Sequence, residues 1–453
     1  MRHCDRSAYA DVLLIPDYFL ASNSAPKFIL YRMKIFGGKR FLIYGDGASG
    51  RAARAAIRRR GGKAKIYSDL GGRFVEPSGE YDTAIISPGV APTHPVYEFC
   101  RTRGIRITGE AALGFSLADC DIVGVTGTNG KTTTVRLLAS MLGGTACGNI
   151  GYPITSAVDK NAAGPLVCEL SSFQLYNADG IAPKIAVITN VDLDHIDWHG
   201  SAEEYYKCKC NIASNMRDGY LILGENVPIK ALSTLSTGAT VLHCSKSKVT
   251  GGAYLRDGYF CFDGKRVCAV DYCRLAGEHN IDNALCAVAA AKCMGADNRK
   301  ILGALCSAEP APHRLSRVGV FGGKEWIDDS KSTNVSSCLA AVSMVAESGR
   351  SICLIVGGRD KKLDFDSLFG ALDSRVTTVI AMGESAQILR DSGVKLGRRV
   401  TVVDGLAAAV TAAASSGAEV VLLSPACASF DEFKNYAERG EVFKALAGNI
   451  DKK

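Results

Sequence analysis

An apolar run, DIVGVT (121–126), passes through the glycine turn GTNGK directly into the helix-forming stretch TTTVRLLASML. A strand that turns straight into a helix leaves little choice of fold. The helix must lie on the face of the sheet and lead back to a parallel neighbour. The alternation occurs in three series. The first, from Phe41, reads FLIYG, DGASG, RAARAAIRRR, AKIYS and TAIIS. The second opens at Asp121 and continues through LVCEL, IAVITN and YLILG. The third follows the Ala-rich helix IDNALCAVAAAKCMG and the linker SAEPAPHR, and runs EWIDD, SICLIVGG, VTTVIAMG, RRVTVVD and EVVLLSP. The fold class is therefore α/β with parallel sheets. Three domains are expected, at 39–118, 119–311 and 312–453, after an N-terminal extension of residues 1–38. Residues 249–275 read as short strands or a hairpin insertion.

The 453 residues, 47% hydrophobic and 22% charged, suit a globular chain and are too polar for a multi-span membrane protein. The net charge of +7 is small for this length, and no Lys/Arg run is interleaved with aromatics, so no nucleic-acid partner is expected. An anionic small substrate accounts for the excess equally well. The apolar run ADVLLIP is flanked by Asp5, Asp11 and Asp17, which fits neither a signal peptide nor a membrane span. MKIFGGKRFLIYG reads as an ordinary beginning for the first strand, so Met33 is an alternative start to Met1. Seventeen cysteines, scattered and often inside apolar runs (Cys168, Cys286, Cys353), imply a reduced cytoplasmic setting without a disulfide framework. The spacings of Cys208 with Cys210, and of Cys261, Cys268 and Cys273, do not make a zinc knuckle.

The run GVTGTNGKTTT (124–134) is a phosphate-binding turn. Its glycines let backbone N–H groups face phosphate oxygens, Lys131 can reach the β and γ phosphates, and Thr132 can ligate magnesium. The generic spacing requires Gly at position 125, where this chain has Val125, so the spelling is a special one. GDGASG (45–50) has the G-x-G-x-x-G spacing after a strand. It suits the diphosphate of a UDP-sugar, an NAD site or a plain tight turn, and Asp69 is the one acid near the distance a ribose contact needs. Glu169 ends the strand LVCEL, and Asp192, Asp194, His195 and Asp197 cluster after IAVITN. At strand ends beside a phosphate loop, Glu169 and His195 are candidate magnesium ligands. Asp192 and Asp197 fit a solvated acidic loop better.

In this order GTNGKTT, GNIGYP (148–153), ELSSFQL (169–175), NVDLDHID, GEHNIDN (277–283) and PHR (312–314) resemble the Mur ligases. DDSKSTN (328–334), GGRDKKLDF and LSPACASFDEFKNYAERG are similar in particular to the D-glutamate-adding branch of that family. The resemblance runs from about Phe41 to about Lys444. It implies an N-terminal Rossmann-like UDP-binding domain, a central P-loop ATPase-type α/β domain and a C-terminal Rossmann-like α/β domain. Gly45, Gly47, Ser49 and Gly50, with Ser68 or Asp69, are implied to hold the UDP end of the substrate, and Asn149, Ser171 and Gln174 its middle and reactive end. ATP falls to Gly127, Thr128, Asn129, Gly130, Lys131, Thr132, Thr133, Asn283 and Arg314, with Asp329 on the ribose. Thr132, Glu169, His195 and Lys209 are the implied metal residues, for magnesium at two sites. Lys209 is implied to be carbamylated by CO₂ and, with Lys131 and His195, to be catalytic. D-Glutamate falls to Lys331, Thr333, Lys361, Ser429 and Phe430. Tyr152 and Tyr436 are given no role. Asp46, close to a diphosphate, is unfavourable unless its side chain points away.

The implied activity is ATP-driven ligation of D-glutamate to UDP-N-acetylmuramoyl-L-alanine through an acyl phosphate, in the cytoplasm and by a monomer. No membrane partner is implied. The competing readings are a related ligase with another acceptor, such as a folylpolyglutamate synthase, a catalytically silent nucleotide-binding regulator, and an NAD-dependent dehydrogenase. The last leaves the phosphate loop unexplained.

Overall fold

The computed structural model describes residues 35–452 except 163, 234, 276, 311, 361 and 362. The extension before residue 35, with the choice of start between Met1 and Met33, lies outside the described residues. So does Lys361.

Four sheets follow the three series. The first contains β1 (Arg40–Tyr44), β2 (Lys63–Tyr67), β3 (Thr83–Ile86) and β4 (Arg106–Thr108), in the order β2-β1-β3-β4 and all parallel. The central sheet contains β5 (Ile122–Thr126), β6 (Thr145–Gly148), β7 (Leu166–Glu169), β8 (Ile185–Asn190), β9 (Tyr220–Asn226) and β10 (Thr240–His243), ordered β10-β9-β8-β5-β7-β6. The insertion expected at 249–275 is three antiparallel strands, β11 (Ala253–Arg256), β12 (Tyr259–Phe262) and β13 (Lys265–Ala269). The last sheet contains β14 (Ser316–Phe321), β15 (Lys324–Asp328), β16 (Ile352–Gly357), β17 (Val376–Met382), β18 (Val400–Val402) and β19 (Val420–Leu423), ordered β14-β15-β19-β16-β17-β18. Only β14 is antiparallel in it.

The strands read as unbroken apolar runs because both faces are covered. In β16, Leu354 and Val356 enter one core while Cys353 and Ile355 enter the other. In β1, Phe41 and Ile43 face one core and Leu42 and Tyr44 the opposite one. The chain divides into two compact units. One comprises the residues up to Val191 with Trp198–Ala308, and holds the first three sheets. The other comprises Asp192–Asp197 with the residues from Glu309, and holds the last. No described helix is long and apolar enough to cross a membrane.

In the first two sheets one strand has neighbours reached in opposite directions, β1 between β2 and β3 and β5 between β7 and β8, while in the last sheet the final strand, β19, is inserted between β15 and β16. Ligands of open α/β sheets bind beyond the carboxyl end of such a strand. Those ends carry GDGASG, GTNGKT and SPACASF.

Candidate active site

Beyond β5 the chain turns through 127–130 into the helix Lys131–Leu142. Gly127 and Gly130 have φ of +148° and +82°, and a Cβ on Gly130 would stand 1.9 Å from Asn283 Oδ1. Asn283 thus abuts the turn. The end of β8 holds the same turn. Thr128 N donates to Asn190 O (3.0 Å), Asn129 N to Asn190 Oδ1 (2.9 Å), and Thr189 Oγ1 to Asn129 O (2.6 Å). Thr133 is buried in the first helical turn.

Two lysines converge on one carbonyl. Lys131 Nζ donates to Gly127 O (2.9 Å) and Thr128 O (2.8 Å), and Lys209 Nζ, on the helix Ala202–Ser214, donates to Gly127 O at 2.7 Å. Lys209 is 2% exposed and lies 4.6 Å from the centre of the Tyr205 ring, whose hydroxyl is 2.8 Å from Thr128 Oγ1. The lysine that pairs with Glu204 on the surface is Lys207. Two ammonium groups on one oxygen repel each other, and an anion placed between them relieves the repulsion.

Thr132 Oγ1 donates to Glu169 Oε2 (2.6 Å), and Asn149 Nδ2 donates to Glu169 Oε1 (2.9 Å). Thr132 and Glu169 thus bring together hard oxygen donors of the kind magnesium takes. No three His, Cys, Asp or Glu side chains form a metal cage among the described residues. Of the expected set, Thr132, Glu169 and Lys209 lie in the first unit and His195 in the second. Magnesium needs only one or two carboxylates when phosphate oxygens complete its shell. His195 belongs to the segment 192–197, grouped with the second unit. It has φ +55°, its N–H donates to Asp194 Oδ1 (2.9 Å), and Asp194 Oδ2 accepts from Asn334 Nδ2 (3.3 Å). Asp192 and Asp197 are exposed.

Ser171 and Gln174 form a capping box on the helix Ser172–Tyr176, with Gln174 N donating to Ser171 Oγ at 3.3 Å. Both are buried, so their first role is to fix this helix. At the first sheet, Gly45 has φ +110° and Gly47 precedes the helix Ala48–Arg59, with Ser49 and Gly50 in its first turn. Asp46 is paired with Arg51 (3.2 Å), which offsets its charge. Asp69 accepts from Tyr44 Oη (2.6 Å) and meets His94 Nε2 (3.1 Å), and both contacts hold its carboxyl below the usual range. Ser68 is exposed.

In the second unit, Lys331 and Thr333 follow β15, and Ser429 and Phe430 follow the adjacent β19. Ser429 is buried while Phe430 is 63% exposed. The ring at Lys331 is instead that of Tyr436, 5.4 Å from Nζ. Tyr436 opens the helix Tyr436–Ala447. Asp329 is buried and accepts from Ser424 Oγ (2.7 Å) and Leu315 N (3.2 Å). Burial lifts its pKa to about 6 against the pull of Arg314. Each of its oxygens thus accepts a hydrogen bond from within the unit. Arg439, 1% exposed, donates to Ser330 O (2.9 Å), Cys427 O (3.1 Å) and Ala428 O (3.4 Å), tying together the segments that carry Lys331 and Ser429. Tyr205 and Arg439 were not legible in the sequence. The i, i+4 spacing of Tyr205 to Lys209 was the available signal for the first, and nothing marks an arginine as buried.

Parallel sheets with a phosphate turn, a carboxylate beside its Thr and a second lysine beneath it define an ATP-dependent ligase. Residues 125–291 match the Mur ligase middle domain and residues 313–427 the Mur ligase glutamate ligase domain. The chain belongs to the Mur ligase family and is an amide-bond-forming, ATP-dependent ligase of peptidoglycan precursor synthesis. It is 37% identical to the UDP-N-acetylmuramoylalanine--D-glutamate ligase of Latilactobacillus sakei, over 79% of this chain and 81% of the relative. It is 34% identical to the enzyme of that name from Shouchella clausii, over 92% and 98%. Among solved structures it shares its fold with MurF from Acinetobacter baumannii (TM-score 0.60, 16% identity, 92% and 91% covered). The UDP-N-acetylmuramate-alanine ligase MurC from Thermotoga maritima is also similar (TM-score 0.56, 19%, 89% and 98%).

Proposed function

We propose that the chain joins D-glutamate to the alanyl carboxylate of UDP-N-acetylmuramoyl-L-alanine, in the cytoplasm and as a monomer. The observation that carries this is the acceptor end of the last sheet, where Lys331 and Thr333 lie at one strand end and Ser429 at the next. A cation with hydroxyl donors suits a dicarboxylate. The names of the curated relatives support the same acceptor. The three-domain division at 39–118, 119–311 and 312–453 is proposed with it.

A carboxylate does not react with an amine until its oxygen becomes a leaving group, which transfer of the γ-phosphoryl of ATP provides. Lys131, over the turn, offsets charge that develops on that phosphoryl. The turn's N–H groups and the helix N-terminus behind them hold the phosphates. Thr132 and Glu169, with His195, would hold magnesium, which supplies further charge neutralisation at the phosphates. Lys331 and Thr333, with Ser429, aim the acceptor's amine at the acyl phosphate, and expulsion of phosphate leaves the amide. Asn149 and the turns after β1 and β2 bind the UDP-substrate. We propose further that Lys209 reacts with CO₂ as the free amine. The C–N bond forms as one N–H proton is released to solvent, the carbamate nitrogen keeps its other hydrogen for Gly127 O, and the new anion removes the clash with Lys131.

The test is phosphate release with ATP, UDP-N-acetylmuramoyl-L-alanine and each of D-glutamate, L-glutamate, L-alanine and a diamino acid. Release is expected with D-glutamate alone. Equal release with L-glutamate, or release only with another acceptor, overturns the assignment.

A further inference from the structure

We propose that Glu110 is a positioning residue for the UDP-substrate, acting through Thr155 on the far end of the turn 148–153. The inference rests on the reading above that Asn149, in that turn, meets the substrate. Glu110 opens the helix Glu110–Leu117 and is 2% exposed. Its Oε1 accepts from both Thr155 N and Thr155 Oγ1, each at 2.7 Å. Thr155 is the second residue of the helix Ile154–Asp159 and is fully buried, so its amide is one of the first-turn donors that have no partner within a helix. The residue before that helix is Pro153, which supplies no side-chain acceptor. Glu110 therefore does, from 45 residues away, what a Ser or Asp N-cap does locally.

A second observation on the same face of that helix agrees. One turn beyond Glu110 stands Gly114, where a Cβ would lie 2.5 Å from Ile154 Cγ2 and 3.2 Å from Thr155 N. The absent side chain lets the two helices approach closely enough for the carboxylate to reach. Burial raises the carboxyl's pKa and the Thr155 bonds oppose this, while Oε2 has no partner. The near end of the turn is fixed separately. Gly148 N donates to Tyr152 O (2.7 Å), and Asn149 N donates to Glu169 O (2.9 Å). Asn149 is thus held from Glu169 on one side and, through the helix and Glu110, on the other. The phosphate turn depends on Asn190 and Thr189 instead, so loss of Glu110 should separate the two substrates.

The experiment compares Glu110→Ala, Glu110→Gln and Thr155→Val with wild type. It reads kcat, KM for UDP-N-acetylmuramoyl-L-alanine, KM for ATP, and calorimetric Kd for the UDP-substrate. Glu110→Ala is expected to raise KM and Kd for the UDP-substrate about tenfold, the size of a lost cap, and to leave KM for ATP nearly unchanged. Glu110→Gln, which keeps the Oε1 acceptor, should restore most of this, and Thr155→Val should fall between. An unchanged UDP-substrate KM, equal changes for both substrates, or a Gln variant as impaired as Ala overturns the inference. If Glu110→Ala does not fold, Thr155→Val decides: a selective rise supports the inference and an unmoved KM overturns it. A wild type that binds no UDP-N-acetylmuramoyl-L-alanine sinks the functional reading itself, whereas a competent wild type matched by its variants sinks only this one.

Discussion

Lys131 and Lys209 meet at one carbonyl oxygen, and the chemistry of the site follows from how their charges are reconciled. Carbamylation of Lys209 is the reconciliation proposed. Lys209→Ala should lose most activity, and short carboxylic acids should restore part of it by returning an anion to the gap. High-resolution density without extra atoms on the Lys209 amine, with undiminished turnover in the variant, would end the idea. Asp329 presents the opposite case, an acid made costly by burial. Its pKa of about 6 lies above the unfolded carboxylate value, so its contribution to stability is complete below about pH 4 and is lost as pH rises through 6. The ionised carboxyl then costs the fold about 3 kcal/mol. Thermal melts of Asp329→Asn against wild type should show the variant gaining in relative stability from about pH 4 to pH 6.5 and no further change above pH 7. A flat difference across that range would show that Asp329 does not titrate as stated. Lys131, Thr132 and Glu169 were legible in the sequence because phosphate chemistry confines them to fixed places around a glycine turn. Tyr436 was not, since a cation–ring contact between residues 331 and 436 leaves no local pattern.

At the scale of elements, the parallel strands were legible because burial on both faces makes them continuous apolar runs. The edges were harder to read. β14 mixes exposed and half-buried positions, SRVGVF, and pairs antiparallel beside β15, so its sequence does not tell edge strand from loop. The helix Tyr436–Ala447 looks like an ordinary charged surface helix, YAERGEVFKALA, yet it delivers Arg439 into the interior. Burial lowers that guanidinium's pKa to about 10, and the carbonyls of Ser330, Cys427 and Ala428 are the compensation. Arg439→Met should fill the space but leave those carbonyls without their donor. The expected cost is about 3 kcal/mol, with a raised KM for the acceptor and an unchanged KM for the UDP-substrate. Denaturant melts and steady-state kinetics check both parts. A variant as stable as wild type with unaltered acceptor KM would mean the helix docks by its apolar face alone, through Phe443 and Ala447.

For the whole molecule, the sequence announced three series of strands and helices, and the chain forms two compact units with separate sheets. The second unit encloses its own hydrophobic interior. One core packs Leu354, Val356, Val379 and Leu422 on one face of the last sheet, and another packs Trp326, Ile355, Ile380 and Phe443 on the opposite face. A segment of this size with both sheet faces covered has what a domain needs to fold alone. Residues 309–453 expressed by themselves are therefore expected to fold cooperatively. The chain's two tryptophans make this easy to follow, because Trp198 lies outside the segment and Trp326 is fully buried within it. Its indole N–H donates to Phe321 O (3.0 Å), and its ring stands 5.8 Å from that of Phe443. The isolated segment should show a blue-shifted tryptophan emission that moves red in one sigmoidal step with urea, coincident with loss of helical circular dichroism. Two transitions that do not coincide, or a red emission without denaturant, would show that the cores around the last sheet do not close without the rest of the chain.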